Sequence, residues 1–409
     1  MPFETQFILQ DRRSLHTSTL EVLLVFLRLG CTSFGGPTAH LGYFRKELVE
    51  RRKWCSEDTL AEIIAIAQSL PGPASSQTGF ALGILRAGWL GGLAAWVGFT
   101  LPSALLMIAF AYGHSFIGGR IGSGLLHGLQ LVAVAVVAQA VFAMQRSLAP
   151  DRIRIAMVAG AAALALLLPP QVATIAPIVL GAAVGLLLRS DVEARHDPLR
   201  FPLTKVIGAA SAFTFFLLLV ALPVLARTFA MIWINVFSAF FQTGALVFGG
   251  GHVVLPLLEN AVVARGWVTQ QLFLAGYGTA QALPGPLFSF GAYLGACVRP
   301  TPSPIFYGVT GLIGIFMPGM LAMAAVLPFW SIVRGSHSAQ CALKGINASV
   351  VGILLAALYH PLWTVTILRA RDFCIALLAF VLLTVWKFPP WLVVVSISVL
   401  SILLASAIG

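Results

Sequence analysis

Residues 67–73 read Ala-Gln-Ser-Leu-Pro-Gly-Pro, and residues 280–286 read Ala-Gln-Ala-Leu-Pro-Gly-Pro. Both copies sit in the same order of motifs. On the N-terminal side, Phe34-Gly35-Gly36 recurs as Phe248-Gly249-Gly250 and Trp54 recurs as Trp267. On the C-terminal side, Gly79 and Gly83 recur as Gly291 and Gly295, Pro102 as Pro318, Gly128 as Gly345, and Pro169-Pro170 as Pro389-Pro390. The offset stays between 212 and 220 throughout, so the chain is one unit used twice. This divides it into a tail (1–19), a first repeat (20–190), a linker with one additional apolar helix at 206–226 (191–233), and a second repeat (234–409).

Composition supplies the solvent. Of 409 residues, 59% are hydrophobic before the 39 glycines are counted, and 10% are charged. A soluble domain averages roughly 45–50% apolar with Gly included and about 25% charged, so these residues make a membrane protein. The net charge of +11 has no basic, aromatic-interleaved domain to sit on, which excludes a nucleic-acid partner and leaves the lipid bilayer as the surrounding partner. A crossing takes about 20 helical residues, so the length suits about a dozen crossings with no soluble domain. Residues 1–19 carry Glu4, Asp11, Arg12, Arg13 and His16 and are not expected to be a cleavable signal. Cys31, Cys55, Cys297, Cys341 and Cys374 form no CxxC pair and read as isolated thiols.

Long apolar stretches cover 88–113, 124–145, 153–168 and 172–188. Residues 20–34 run into Gly35-Gly36-Pro37, whereas 58–70 and 74–85, on either side of Pro71-Gly72-Pro73, are each too short to span. The last two form either one broken helix or a re-entrant hairpin, which a bilayer tolerates where the irregular backbone is buried in protein. If the chain crosses an even number of times before Arg86, fifteen loop and tail cations of residues 1–205 share one side and Arg120 stands alone on the other. The positive-inside rule then favours a cytoplasmic N-terminus and hairpin-like entry segments. Two full early spans would also be even but would put the 45–53 cluster outside. Four later crossings plus 206–226 make an odd number, so the second repeat is expected to be inverted. The fold class is therefore an all-α polytopic membrane protein with two homologous, inverted repeats and broken or re-entrant helices, the plan of many secondary transporters.

The breaks are the candidate site. Pro suits the first turn of a helix and Gly the unwound residues before it. Gly35, Gly36, Pro37, Thr38 and His40, and Pro71, Gly72, Pro73, Ser75, Ser76 and Gln77, thus frame helix starts whose free N–H groups and dipoles suit an anion. Gly249, Gly250, Gly251 and His252, with Pro284, Gly285, Pro286 and Ser289, hold the matching places. Tight turns serving only close packing are the plainer reading of any one motif; four in symmetric places favour a site. Gly79, Gly83, Gly291 and Gly295 read as helix contact. Arg28 and Arg86 offer planar oxyanion donors, with interfacial anchoring the alternative for Arg86. His40, His252, Glu62 and Glu259 are proton-coupling candidates, with solvation at loop edges the alternative for the two glutamates. No HExxH, GxSxG, Walker or dinucleotide motif occurs, so neither an enzyme, a bound cofactor or metal, nor self-powered ATP hydrolysis is expected.

With these motifs assembled, the chain resembles the long, two-domain members of the chromate ion transporter family. The likeness lies in residues 29–40, Arg52-Lys53-Trp54, Gln68 to Gln77, Arg86-Ala87-Gly88, Trp96 to Ser103, Phe248 to Pro256, and Ala282 to Pro286. It covers nearly the whole chain. The second copy departs from the first by replacing Pro37 with Gly251 and Ser75-Ser76-Gln77 with Leu287-Phe288-Ser289. The resemblance implies export of chromate across the cell (inner) membrane, energised by membrane potential or a proton gradient. Since chromate has the shape of sulfate, a carrier of sulfate or another tetrahedral oxyanion is the first alternative. A passive anion channel and a membrane-embedded chromate reductase stand further off, and a homo-oligomer is compatible with the sequence.

Overall fold

The computed structural model describes residues 12–113, 119–188, 201–229, 231–248, 251–298, 303–330 and 337–407, with the side chains of 12–17, 38, 170, 171, 339 and 407 not described. Every regular element among the described residues is helical. The first repeat comprises α1 (Arg12–Thr32), α2 (Gly36–Phe44, continued by wider turns over Arg45–Arg51), α3 (Glu57–Ser69), α4 (Ala74–Gly113), α5 (Gly119–Leu148), α6 (Arg152–Leu167) and α7 (Ile175–Leu188). After α8 (Lys205–Phe229), the pattern returns as α9 (Ile232–Leu246), α10 (Val254–Val262), α11 (Gln270–Ala282), α12 (Phe290–Cys297), α13 (Pro304–Val326), α14 (His337–Ala357), α15 (Ala370–Thr384) and α16 (Pro390–Ala407). Among the described residues five helical stretches are long and apolar enough to cross a membrane: Ala74–Gly113, Gly119–Leu148, Lys205–Phe229, Pro304–Phe329 and Gln340–Thr366.

The halves agree down to their caps. Ser56 Oγ accepts the amide of Thr59 at the start of α3, and Thr269 Oγ1, at the equivalent place, accepts that of Leu272 at the start of α11. Each of these helices is 13 residues long, about 20 Å, and is stopped by Leu-Pro-Gly-Pro. Gly72 and Gly285 take φ of 121° and 96°, which other L-residues rarely adopt, and so turn the chain sharply into the next helix.

α4 is two arms. At Ala87 (φ −142°, ψ 27°) and Gly88 (φ 65°, ψ −158°) the helix doubles back, so that Gly92 lies against Ile84 and Phe80 while Phe80 meets Trp89 edge-on at 5.7 Å. α1 runs beside the second arm, touching it where Gly30 meets the carbonyl of Gly98. The four glycines read as packing positions lie against neighbours: Gly79 on Phe26, Gly83 on Ala95, Gly291 on Ile315 and Gly295 on Gly308.

Between repeats the contacts are exchanged in pairs. α7 packs on α14 and, reciprocally, α16 packs on α5; α6 packs on α14 and α15 on α5. Small residues let these backbones approach: Gly128 lies against Ser398 and Ser401, and Gly181 and Gly185 against Gly345. In hydrocarbon, where lipid tails are as apolar as leucine, such close approach contributes what the hydrophobic effect cannot. α8 has no counterpart. It packs on α9 and α13 and presents Phe213, Phe216, Val220 and Val224 outward, as a peripheral membrane helix does.

One pair lies face to face. A Cβ at Gly251 would stand 3.3 Å from Cγ of Pro37, its own counterpart in the first repeat, so the centre of the molecule accepts one proline ring and not two. Gly251→Pro should therefore lower stability by about 1–3 kcal/mol, as overpacking does, and adding Pro37→Gly should recover most of the loss. Thermal unfolding in detergent checks this; equal stability of the wild type and Gly251→Pro would disprove the crowding.

Candidate functional site

The four breaks converge. The amide of Gly72 donates to the carbonyl of Val247 at 2.7 Å, and the amide of Gly285 donates to the carbonyl of Ser33 at 2.9 Å. Val247 and Ser33 precede the two Phe-Gly-Gly motifs, so each Pro-Gly-Pro turn is tied to the opposite repeat's glycine break by the same bond. The turns are seated alike. A Cβ on Gly72 would meet Cα of Gly319 at 2.7 Å, and one on Gly285 would meet Oγ of Ser103 at 2.9 Å, the places following Pro318 and Pro102.

Within this centre, Gln77 is fully buried and its Nε2 donates to the carbonyls of Pro71 and Gly319, both at 2.9 Å. Gln77 thus locks the turn: its side-chain amide donor is spent on protein, as is the backbone amide of Gly72. Three hydroxyls are different: Ser33, Ser76 and Thr100 are buried, and their oxygens have no hydrogen-bond partner among the described residues. A buried polar group left unmatched costs about 1–3 kcal/mol, so each of these hydroxyls calls for an explanation. The first-turn amides of Ser75 and Ser76 in α4 likewise have no intrahelical acceptor by helix geometry, whereas the Ser289 amide closes a tight turn onto Pro286.

The histidines stitch segments together. His40 Nδ1 lies 3.3 Å from Ser75 Oγ, joining the two first-repeat breaks, and its ring meets Phe99 edge-on at 5.2 Å. His252 Nδ1 lies 2.7 Å from the hydroxyl of Tyr277 on α11. These are not equivalent positions, so the centre is symmetric in backbone and asymmetric in titratable side chains. Gly249 and Gly250 lie outside the described residues, as does the side chain of Thr38.

The remaining candidates lie elsewhere. Arg86 Nη2 donates to Glu21 Oε2 at 3.0 Å, and Arg52 Nη1 donates to Glu21 Oε1 at 3.1 Å. Both guanidiniums stand over Trp54, at 5.4 and 5.9 Å from its ring centre. Arg52 also holds Glu47 at 2.7 Å, and Arg51 holds its other oxygen at 3.0 Å. Partial burial pushes the Glu47 carboxyl up, but Arg52 and Arg51 outweigh it and hold it below the usual range. This ionic knot gathers α1, the end of α2 and the bend of α4 at one end of the fold. Glu21 lies 65 residues from Arg86, and no local pattern marks it as the partner.

Arg28 is exposed and lines a cavity of about 400 Å³ with Lys46, Arg51, Glu47 and Glu50, a mixed-charge wall. Glu62 accepts the indole N–H of Trp330 at 3.0 Å, a link from the first repeat to the second. Glu259 lies near the C-terminal end of α10, beside Gln270. Among the described residues no three His, Cys, Asp or Glu side chains converge on a metal position.

Comparison with known proteins places this arrangement. The model of the chromate transporter family matches residues 20–186 and again 234–403. The chromate transport protein of Pseudomonas aeruginosa is 30% identical over 339 residues, 80% of this chain and 77% of that protein. A probable chromate transport protein of Synechococcus elongatus is 26% identical, covering 81% of each chain, and the chromate transport protein of Cupriavidus metallidurans is 25% identical, covering 84% of each. No solved structure matches the chain. Two matched copies of the family's unit, apolar spanning helices and glycine-proline breaks brought together between the copies mark a multi-pass membrane transporter and not an enzyme; the chain belongs to the chromate transporter family.

Proposed function

We propose that the protein exports chromate from the cytoplasm across the cell membrane, the inner one where there are two, as a secondary carrier driven by membrane potential or a proton gradient. The observation that carries this reading is the reciprocal pair of bonds from Gly72 to Val247 and from Gly285 to Ser33. Through it, the unwound backbone of each half is held by the other, at a centre with buried, unmatched hydroxyls. A tetrahedral dianion presents oxygens in every direction. Free first-turn amides and hydroxyls are the donors that suit it, with no countercharge that would bind it too tightly to leave. Such a site reads shape and charge, so sulfate is expected to compete.

The topology we infer has α1 entering from the cytoplasm and α2 returning, then α3 entering and the first arm of α4 returning. The knot of Glu21, Arg52 and Arg86 supports this, because it ties the entry of α1 to both return points. Applied to the second repeat from the opposite face after α8, the same course gives inverted repeats. In this arrangement residues 1–19 are a cytoplasmic tail, 20–190 and 234–409 are the repeats, and 191–233 is the linker. Rocking of one repeat against the other would exchange which face reaches the centre, and His40 and His252, each bonded across a break, are the proton-coupling residues we favour.

Proteoliposomes loaded with chromate at controlled pH and voltage test the reading: chromate should move uphill, unreduced, when a proton gradient or potential is imposed, with sulfate slowing it. Flux that only dissipates a chromate gradient would make the protein a channel, and conversion of Cr(VI) to Cr(III) by the purified protein would make it a reductase. The inferred knot has its own signature. Glu21→Gln and Arg86→Gln should each lower thermal stability, and the double variant should fall short of their sum by about 0.5–3 kcal/mol. Strict additivity would separate the two residues.

A further inference from the structure

A second cavity, of about 640 Å³, opens beside the first-repeat break. Gly35 and Ala39 form its inner wall, Tyr43 and Arg146 line it from α2 and α5, and Lys387 to Trp391 close it from the turn between α15 and α16. Among the described residues its lining contains two cations, Arg146 and Lys387, and no carboxylate. The turn is fixed against the break, since Trp391 packs on Phe34 with ring centres 6.3 Å apart. Thr384, also in the lining, has a buried hydroxyl with no partner among the described residues.

Lys387 stands where local structure asks for another residue. The amide of Phe388 donates to the carbonyl of Leu382 at 3.0 Å, a seven-residue closure beyond the end of α15 that passes through a left-handed residue, ordinarily glycine. Lys387 occupies that position with φ 53°, at a steric cost that helix ending does not require. An outlier of this kind points from strain to use. The opposite repeat gives the contrast. The offset of 217 at Gly128 and Gly345 puts Trp363 in the place of Arg146, and the offset of 220 at Pro169 and Pro389 puts Leu167 in the place of Lys387. The cavity's counterpart therefore has neither cation.

We propose that this cavity is the loading vestibule for a tetrahedral oxyanion, with Arg146 and Lys387 as its charge-selecting residues. The inference rests on the oxyanion-carrier reading above and adds a direction to it. In the inferred topology α5 returns to the cytoplasm at Arg146, so the cationic mouth faces the compartment from which the anion is taken, and the counterpart place, where neither of these two cations recurs, faces the side of release. A mouth lined by one sign of charge concentrates ions of the other sign by tenfold or more. Arg146 is steadied for this by Phe142, whose ring centre lies 4.1 Å below the guanidinium.

Lys387→Gly separates charge from fold, since glycine suits the left-handed position. The experiment is equilibrium dialysis of radioactive chromate against purified wild type, Lys387→Gly, Arg146→Gln, the double variant and Arg146→Lys, with melting temperatures measured in parallel. Lys387→Gly should melt no lower than the wild type and yet bind chromate more weakly. The double variant should lose about tenfold or more in affinity, and Arg146→Lys should retain most of it. Wild-type affinity in a well-folded double variant would overturn the vestibule and leave the carrier reading standing, whereas a wild type that binds no chromate would overturn both.

Discussion

A backbone amide in hydrocarbon must find an acceptor, and this requirement governs the molecule at its centre. Breaking four helices where protein buries them frees donors and acceptors that water cannot satisfy. The chain resolves two of them by exchange: Gly72 of one repeat donates to Val247 of the other, and Gly285 donates back to Ser33. Neither break is self-sufficient. The unwound backbone that makes a polar centre is therefore also what binds the repeats to each other, and loss of one repeat would leave the other with unmatched groups.

Close helix approach follows from the same medium. With no hydrophobic drive between helices already in lipid, contact surfaces depend on packing, and glycine gives the shortest path. Gly30 against Gly98, Gly128 against Ser398 and Gly181 against Gly345 are these contacts, two of them between repeats. Larger side chains fill what remains, as Phe26, Phe44 and Phe99 do in edge-on contact beneath His40.

Repetition, helix breaks and membrane class were legible in the residues because each is written in local pattern or in an offset. Leu70-Pro71-Gly72-Pro73 stops α3 wherever it is placed, and its copy stops α11. What was not legible is pairing at a distance. Arg86 reads as an oxyanion donor or an interfacial anchor until Glu21 is seen opposite it, Gln77 reads as a donor to an anion until the carbonyl of Gly319 claims it, and Glu62 reads as a proton-coupling candidate or a solvated loop-edge acid until Trp330 reaches it. In each case the partner is set by how helices cross, which composition and spacing do not encode. The strain at Lys387 is hidden for the same reason, since a lysine after an apolar helix looks like an ordinary interfacial anchor.

The contact between Pro37 and Gly251 has a consequence for how such a molecule can be built. A residue lying on the axis of a symmetric pair meets its own copy, so two identical half-length chains would have to set proline against proline or glycine against glycine there. One ring filling the space left by its counterpart is a heterologous fit, open only to two different sequences. Covalent joining guarantees that the unlike halves meet in a one-to-one ratio, and the seam through the middle of this protein uses that guarantee.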